Sequence, residues 1–151
     1  MDLQVEVMKI TEVSPQLFLG SGKHAREESS DFKKLGIKVI INCCNDFSHK
    51  RKWGYEVEEY RIDDGVFGTI IDFLDPVADS IRNHLLSNKK VYVHCMHGKS
   101  RSVSIVIYYL IKYEKMTYDQ AYQMLLELRP IISPNTNFIK EIQRKEISVH
   151  F

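Results

Sequence analysis

A cysteine and an arginine separated by five residues form the most chemically suggestive pair in the chain. They are Cys95 and Arg101, within the segment VYVHCMHGKSRSVSIV of residues 91–106. An apolar β-type run precedes the cysteine and an apolar helical run follows the arginine, so the loop between them joins a strand to a helix. Successive backbone N–H groups of such a loop can converge on one point, with the positive end of the helix dipole behind them. The spacing therefore predicts a binding site for a tetrahedral dianion beside a cysteine nucleophile.

The residue types in this loop fit the same chemistry. Arg101 offers a planar, two-pronged donor suited to two phosphoryl oxygens. Gly98 lets the backbone close on the anion where a Cβ atom would intrude. The positive field should hold Cys95 as the thiolate, which is the nucleophilic form. We expect a phosphate or sulfate anion to bind in the loop, surrounded by Met96, His97, Gly98, Lys99, Ser100 and Arg101.

Gly98-Lys99-Ser100 also suggests the end of a nucleotide-binding loop, and the spacing excludes that reading. The motif needs a glycine five residues before the second one, and this chain has Val93 there. Gly20-Ser21-Gly22-Lys23 fails as well, because Leu17 takes the place of the first glycine and His24 replaces the serine or threonine.

The loop resembles the H-C-x-x-G-x-x-R-S/T signature of the cysteine-dependent protein tyrosine phosphatase superfamily, here from His94 to Ser102. Its fuller form, VHC..GKSRS, is similar to the dual-specificity branch. Three other segments are similar to that branch, so that the resemblance covers about residues 8–145: LFLGSGKHA (17–25), LGIKVIIN (35–42) and ELRPIISPNTNF (127–138).

The resemblance implies a small, atypical enzyme that consists of a single catalytic domain over residues 1–151. Such an enzyme hydrolyses phosphotyrosine and phosphoserine or phosphothreonine in proteins through a phosphocysteine intermediate. It uses no cofactor and no metal, and its partner is a phosphorylated protein.

The resemblance also implies a general acid, an aspartate about thirty residues before the cysteine. Asp64 lies 31 residues and Asp63 lies 32 residues before Cys95. Ungapped alignment through FLDPVADSI (73–81) favours Asp64, which leaves Asp63 as the alternative acid or as a turn residue before Gly65. Three further aspartates fall in the helical pattern that follows, where a solvated helix face explains them: Asp72, Asp75 and Asp79.

Supporting roles are predicted for several neighbours of the loop. Ser102 is placed to donate a hydrogen bond to the Cys95 sulfur and help it leave, although a hydroxyl at a helix start is also common. His94 should order the loop from beneath. Some relatives form a reversible disulfide between the nucleophile and a cysteine at the end of an earlier strand. Cys44 fits that place better than Cys43, and otherwise both are core cysteines.

Three alternatives to a protein phosphatase stay open. Lys99 is typical of phosphoinositide-directed relatives, which usually carry a basic residue where this chain has Met96. The C-x-H-G sequence resembles RNA 5′-triphosphatase members, which usually have Asn-Arg-Thr where this chain has Ser100-Arg101-Ser102. A pseudophosphatase would bind phosphorylated partners without turnover, but its usual mark is loss of the cysteine or arginine. The basic run HKRK at 49–52, with Trp53, is either a solvated loop or a contact for phosphopeptide or anionic lipid.

The elements that must position these residues alternate between strands and helices. This alternation predicts an α/β fold with a central, mostly parallel, twisted sheet flanked by helices on both faces, like that of protein tyrosine phosphatases. The predicted strands are 6–12 and 16–19 as a hairpin, 37–42, 55–62 and KVYVHC. The predicted helices are 25–35, ending at Gly36; 70–86, with a kink or late start at Pro76; an apolar central helix from Arg101; one capped by Thr117 and Gln120; and one from Ser133-Pro134-Asn135.

The composition of the chain also limits the cell compartments and the partners that we expect for the protein. The chain has 151 residues, 44% of them hydrophobic, and a net charge of +1, so no overall field attracts nucleic acid or a membrane. Three cysteines form neither a disulfide framework nor a zinc motif. No lipid-anchor signal or apolar spanning segment is evident. We expect a monomer in the cytoplasm or nucleus, with no nucleic acid partner and no membrane anchor.

Overall fold

The computed structural model describes residues 2–27, 30–49 and 54–150. Within these ranges the chain forms five strands and seven helices. The strands are β1 (Thr11–Ser14), β2 (Leu17–Ser21), β3 (Ile37–Asn42), β4 (Glu56–Glu59) and β5 (Lys90–Cys95). The helices are α1 (Leu3–Val7), α2 (Gly22–Arg26), α3 (Ser30–Leu35), α4 (Ile71–Leu86), α5 (Arg101–Glu114), α6 (Tyr118–Leu128) and α7 (Thr136–His150).

The five strands form one sheet in the order β1-β2-β5-β3-β4. β1 and β2 pair antiparallel as the predicted opening hairpin, and the remaining neighbours are parallel. Ser21 pairs with Cys95, and Asn42 pairs with His94. The carboxyl ends of three parallel strands therefore meet around Cys95, which is where open α/β sheets bind ligands.

The two faces of the sheet bury different cores. Because strand side chains alternate, Ile41 and Val93 belong to a large core under α4–α7, while Ile40 and Tyr92 pack on the other face. Phe32 of α3 belongs to this smaller second core. Helix α5 is buried along its length from Arg101 to Ile111, as an almost wholly apolar central helix should be. The predicted mostly parallel sheet with helices on both faces is confirmed.

Four element boundaries differ from the sequence prediction. Residues 6–7, predicted as strand, belong to α1, where Asp2 accepts hydrogen bonds from the backbone N–H groups of residues 4 and 5. The helix predicted over 25–35 is two short helices, α2 and α3. β4 is shorter than the predicted 55–62. Helix α4 begins before Pro76 and includes it, so the late start is wrong.

Other local predictions are confirmed. Gly36 ends α3 with a φ of +79°, a left-handed conformation that favours glycine. Thr117 and Gln120 form the expected capping box at the start of α6. Among the residues that the structure describes, no helix has the length and apolarity required to cross a bilayer.

Candidate active site

The loop that joins β5 to α5 begins at Cys95, the last residue of the strand, and ends at Arg101, the first residue of the helix. Gly98 adopts a φ of +66°, which side chains other than glycine's rarely tolerate. A Cβ atom there would also lie 2.7 Å from the Arg129 guanidinium and 2.7 Å from the Gly20 carbonyl oxygen. Glycine is therefore required at this position for both its conformation and its lack of a side chain.

The backbone carbonyls of the loop are hydrogen bonded on its outer side. The Gly22 N–H donates to the Met96 carbonyl at 3.1 Å, and the Ser133 N–H donates to the Lys99 carbonyl at 2.8 Å. The Ser100 carbonyl accepts from the first turn of α5. Because these carbonyls are held outward, the intervening N–H groups are free to face the inside of the loop, as in anion-binding nests.

Arg129 completes this outer support from the segment after α6. Its Nε donates to the Gly98 carbonyl at 2.8 Å, and its Nη2 donates to the His97 carbonyl at 3.0 Å. The side chain is buried, and burial lowers the pKa of its guanidinium. Three further acceptors tie it to the start of the chain: the carbonyls of Lys9 and Val7 and the hydroxyl of Thr11. This residue was not predicted from the sequence, although it lies in the family-like segment 127–138.

Cys95 has the hydroxyl neighbour that was predicted. Cys95 Sγ and Ser102 Oγ are 3.0 Å apart, and either atom can be the donor. Both side chains are buried, Cys95 with 2% and Ser102 with 0% of its surface exposed. The structure thus brings these two predicted residues into direct contact.

His94 lies beneath the loop, where the sequence prediction put it. It is fully buried, and its Nδ1 donates to the Cys95 carbonyl at 3.0 Å, since a carbonyl oxygen can only accept. Its Nε2 is 2.7 Å from His49 Nε2, and its ring stacks on Phe47. His49 is the only described member of the basic run, because residues 50–53 lie outside the described ranges.

Arg101 is held by residues that follow β3 and β4. Its Nη2 donates to Asp46 Oδ2 at 2.7 Å, while its Nη1 contacts Asn45 Oδ1 at 3.1 Å and the Ile62 carbonyl at 3.2 Å. Burial acts to lower the pKa of Arg101, but the hydrogen bond that Arg101 donates to Asp46 and the electrostatic interaction with Cys95 outweigh it and raise the pKa. Sequence analysis did not identify Asn45 or Asp46.

The guanidinium of Arg101 keeps one donor available. Its Nε is buried and has no hydrogen-bond partner among the described residues. A buried unpaired donor is costly, and in native structures it commonly marks a functional requirement. An anion bound in the loop would supply the missing acceptor.

Asp64 is connected to the same loop. The Ser100 hydroxyl donates to Asp64 Oδ1 at 2.9 Å, and Asn135 Nδ2 donates to the Gly65 carbonyl at 3.0 Å. The Asn135 N–H in turn donates to the Ser100 hydroxyl at 2.9 Å. Asp63 instead lies with its carboxylate against Gly65. Asn135, predicted only to lie at the start of the last helix, therefore also contacts residues 64 and 65. The role of Asp64 as general acid stays a prediction.

Cys43 and Cys44 follow β3 as free, buried thiols. Burial raises the pKa of both, and the Cys44 thiol donates to Asn42 Oδ1 at 2.9 Å. The Cys43 N–H donates to the His94 carbonyl at 2.7 Å, so Cys43 is the residue that neighbours Cys95 across the sheet. The disulfide between Cys44 and Cys95 stays a prediction. Peptide mapping after mild peroxide tests it, with Cys43→Ser as the matched variant: a cross-linked peptide lost in Cys43→Ser and kept in Cys44→Ser contradicts it.

Comparison with known proteins agrees with this geometry. Residues 17–148 match the family model described as the dual specificity phosphatase catalytic domain. Human dual specificity protein phosphatase 8 is 32% identical over 97% of this chain, and Xenopus laevis dual specificity protein phosphatase 1-A is 36% identical over 91% of it. The chain spans only 24% and 37%, respectively, of the length of these two relatives.

Solved structures share the fold. The human tyrosine phosphatase-like serine/threonine/tyrosine-interacting protein is 29% identical with a TM-score of 0.84, covering 92% of this chain and 96% of its own. Human DUSP28 has a TM-score of 0.87 over 94% of this chain and 95% of its own, at 22% identity. Because human DUSP28 is only 22% identical to this chain, its similarity indicates the fold alone.

Proposed function

The chain belongs to the family of dual specificity phosphatase catalytic domains, and from this premise we propose that it hydrolyses phosphotyrosine and phosphoserine or phosphothreonine in proteins. One observation supports this proposal above the others. The loop from Cys95 to Arg101 combines outward-bonded carbonyls, a cysteine in contact with a hydroxyl, and a buried arginine with one unpaired donor. A phosphoryl group would satisfy the inward N–H groups and Arg101 together.

In the first step, the Cys95 thiolate attacks phosphorus. The S–P bond forms as the bond from phosphorus to the serine, threonine or tyrosine oxygen breaks. The inward N–H groups of the loop and the Arg101 guanidinium stabilise the charge on the equatorial oxygens of the transition state. Asp64, as the acid, gives its proton to the departing oxygen.

In the second step, water attacks the phosphocysteine and the S–P bond breaks. The Asp64 carboxylate left by the first step takes the proton of the water, so the acid is restored. Cys95 leaves as a thiolate, and the Ser102 hydroxyl at 3.0 Å stabilises it by donating a hydrogen bond. Inorganic phosphate is released.

Asp64 is suited to this exchange by its place at the rim. It is solvent exposed and accepts hydrogen bonds from Ser100 and Asn135, so it is accessible to water and lies next to the loop. Asp63 lacks such a described bond to the loop, which favours Asp64 of the two candidates.

The test is turnover of an aryl phosphate and of a phosphoserine peptide by the wild type and three variants. Cys95→Ser should abolish turnover of both substrates, and activity that survives this change rules out the mechanism. Asp64→Asn should slow the phosphoserine peptide by roughly 10²–10⁴-fold, the usual range for a general acid, and the aryl phosphate much less, because its leaving group needs little protonation. Asp63→Asn is the matched control, and a larger effect there reverses the assignment.

A readout that separates the two steps is trapping of the phosphoenzyme by acid quench. Ser102→Ala should slow the second step selectively, so labelled phosphocysteine accumulates during turnover of an aryl phosphate. If Ser102→Ala turns over the aryl phosphate at the wild-type rate and accumulates no phosphocysteine, Ser102 has no role in the second step.

A non-catalytic binding role is the second candidate, because one structural relative is named a tyrosine phosphatase-like interacting protein. Under that alternative the wild type binds phosphopeptides but turns over neither substrate. Retention of both Cys95 and Arg101 favours the enzyme.

A further inference from the structure

An open groove of about 810 Å³ lies directly beside the phosphate-binding loop. Three structural elements line it: helix α1, helix α2 and the outer residues of the loop, Met96, His97 and Lys99. Its volume falls within the range of ligand-binding clefts. Because loop residues form one wall, anything that occupies the groove lies next to the phosphoryl group bound at Cys95.

The groove is basic on one side. Lys23 and Arg26 of α2 and Lys99 of the loop line it, against a single carboxylate, Glu27. Lys23 and Glu27 are 4.0 Å apart with most of both side chains exposed, so this pair neutralises Lys23 only weakly. Arg26 lies 4.7 Å over the ring of Phe47, which fixes its position. The net charge of this wall is positive and points to an anionic ligand.

The opposite wall is aliphatic and comes from α1. Leu3, Val7 and Met8 line the groove, and Leu3 is 55% exposed. Helix α1 has no buried residue, so its apolar side chains are not used by the core. A groove lined by aliphatic side chains, basic side chains and loop residues fits an extended chain with mixed side chains.

We propose that this groove binds the residues that flank the phosphorylated residue of a protein substrate, with an acidic or second phosphorylated residue on Lys23, Arg26 and Lys99 and an aliphatic residue against Leu3. This specificity assignment rests on the proposed phosphatase function. It favours phosphoproteins over membrane phosphoinositides, because the basic side chains line a concave cleft that a flat bilayer cannot enter.

The experiment compares phosphopeptides that differ only in the charge of the flanking residues. For each enzyme, the ratio of kcat/KM for acidic-flanked to basic-flanked peptides is measured, so changes in the shared catalytic steps cancel. The wild type should prefer acidic flanks, and Lys23→Glu with Arg26→Glu should lower the ratio about tenfold or more and raise the rate on basic flanks. Lys34→Glu, on an exposed position of α3 outside the groove, is the matched control and should leave the ratio unchanged.

A second variant tests the aliphatic wall. Leu3→Ser should lower kcat/KM about threefold for peptides with an aliphatic flank and leave peptides with only polar flanks unchanged. A charge ratio that is the same in the double variant as in the wild type overturns the proposal. So does a selective loss of phosphoinositide hydrolysis in vesicles without a change in the peptide ratio.

Failure of the inference can be separated from failure of the proposed function. The same peptides can be bound to the Cys95→Ser variant and followed by fluorescence anisotropy, which needs no turnover. A wild type inactive on aryl phosphate refutes the phosphatase, while the anisotropy ratio still decides the groove: a preference for acidic flanks that Lys23→Glu and Arg26→Glu remove supports it, and equal affinities refute it.

Discussion

Two buried arginines, Arg101 at the end of the loop after β5 and Arg129 bonded to that loop, differ in how their donors are used. Arg129 donates to five oxygens, four backbone carbonyls and one hydroxyl, which belong to the start of the chain and to the loop after β5. Arg101 donates to Asp46, Asn45 and the Ile62 carbonyl and keeps a buried Nε without a partner among the described residues. Burial lowers the pKa of Arg129, while its carboxylate neighbour raises that of Arg101.

The two arginines therefore have different expected roles: Arg129 stabilises the fold, and Arg101 is available to a ligand. Every donor group of Arg129 is used within the fold, so this side chain fixes the loop and has nothing left for a ligand. Arg101 keeps a buried donor without a partner among the described residues, at a cost that a bound anion would offset. Substitution should therefore affect activity most at Arg101 and stability most at Arg129.

The largest expected effect is on activity at position 101. Arg101→Lys should lower kcat/KM by roughly 10³-fold or more, because an ammonium group cannot replace the two-pronged guanidinium at the transition state. The free energy of unfolding should change by less than about 1 kcal/mol, since the Asp46 carboxylate is partly exposed and can be solvated. Steady-state kinetics and urea denaturation measure the two effects. If Arg101→Lys loses much stability and little kcat/KM, Arg101 serves the fold rather than activity, and the comparison with Arg129 is wrong.

The reverse pattern is expected at position 129. Arg129→Met should lower the free energy of unfolding by about 3–5 kcal/mol, because it leaves several buried oxygens without donors. Arg129→Lys keeps the charge but reaches fewer acceptors, so its loss should be smaller. Arg61→Met is the control, since Arg61 is exposed and donates to two oxygens among the described residues, and it should cost less than about 0.5 kcal/mol. Denaturation curves that leave Arg129→Met as stable as the wild type would contradict its structural role.

The same two arginines show what could be predicted from the sequence. Cys95, Arg101 and Ser102 were identified because the strand, loop and helix that position them are consecutive, so their spacing carries the information. Arg129 bonds mostly to backbone carbonyls, which exist at every residue and leave no pattern in the sequence. Asp46 was missed for a similar reason, because it lies in a polar loop where the sequence does not indicate which carboxylate turns inward.

The strands and helices also differ in how well the sequence predicts them. β3, β5 and α5 were predicted because each is largely buried and therefore mostly apolar. Helix α1 was missed because LQVEV alternates apolar and polar residues, which is the pattern of a strand. Its Asp2 cap was the local signal for a helix.

A smaller effect, on phosphate binding, is expected when the carboxylate beside Arg101 is neutralised. Asp46→Asn keeps an acceptor for Nη2 but removes the negative charge that lies 2.7 Å from it. The inhibition constant for inorganic phosphate should fall about three- to tenfold, because the carboxylate repels a dianion bound to the same guanidinium. Inhibition by phosphate at fixed pH measures this. An unchanged constant would mean that Asp46 turns away when the anion binds, and its role would then be limited to the unliganded loop.

The smallest expected effect is on stability, at an ion cluster of Asp75, Lys112 and Lys145. Its size can be compared with the effects at the two arginines. Asp75 of α4, expected only to lie on a solvated helix face, accepts bonds from Lys112 of α5 at 2.9 Å and from Lys145 of α7 at 2.6 Å. Burial would raise the pKa of Asp75, but the hydrogen bonds from Lys145, Tyr108 and Lys112 outweigh it and hold the pKa well below its usual range.

A carboxyl whose pKa is depressed by folding stabilises the protein above its unfolded pKa, near 4, and loses that contribution as the pH falls below it. Asp75→Asn should thus cost only about 1 kcal/mol at pH 7, because the carboxylate is partly exposed and screened by solvent. The difference from the wild type should narrow below about pH 4, as measured by urea denaturation at several pH values, with exposed Glu12→Gln as the control. A difference that persists at low pH would assign the effect to packing. Either result leaves this paired cluster worth less than buried Arg129, because water can replace its partners and cannot reach those of the arginine.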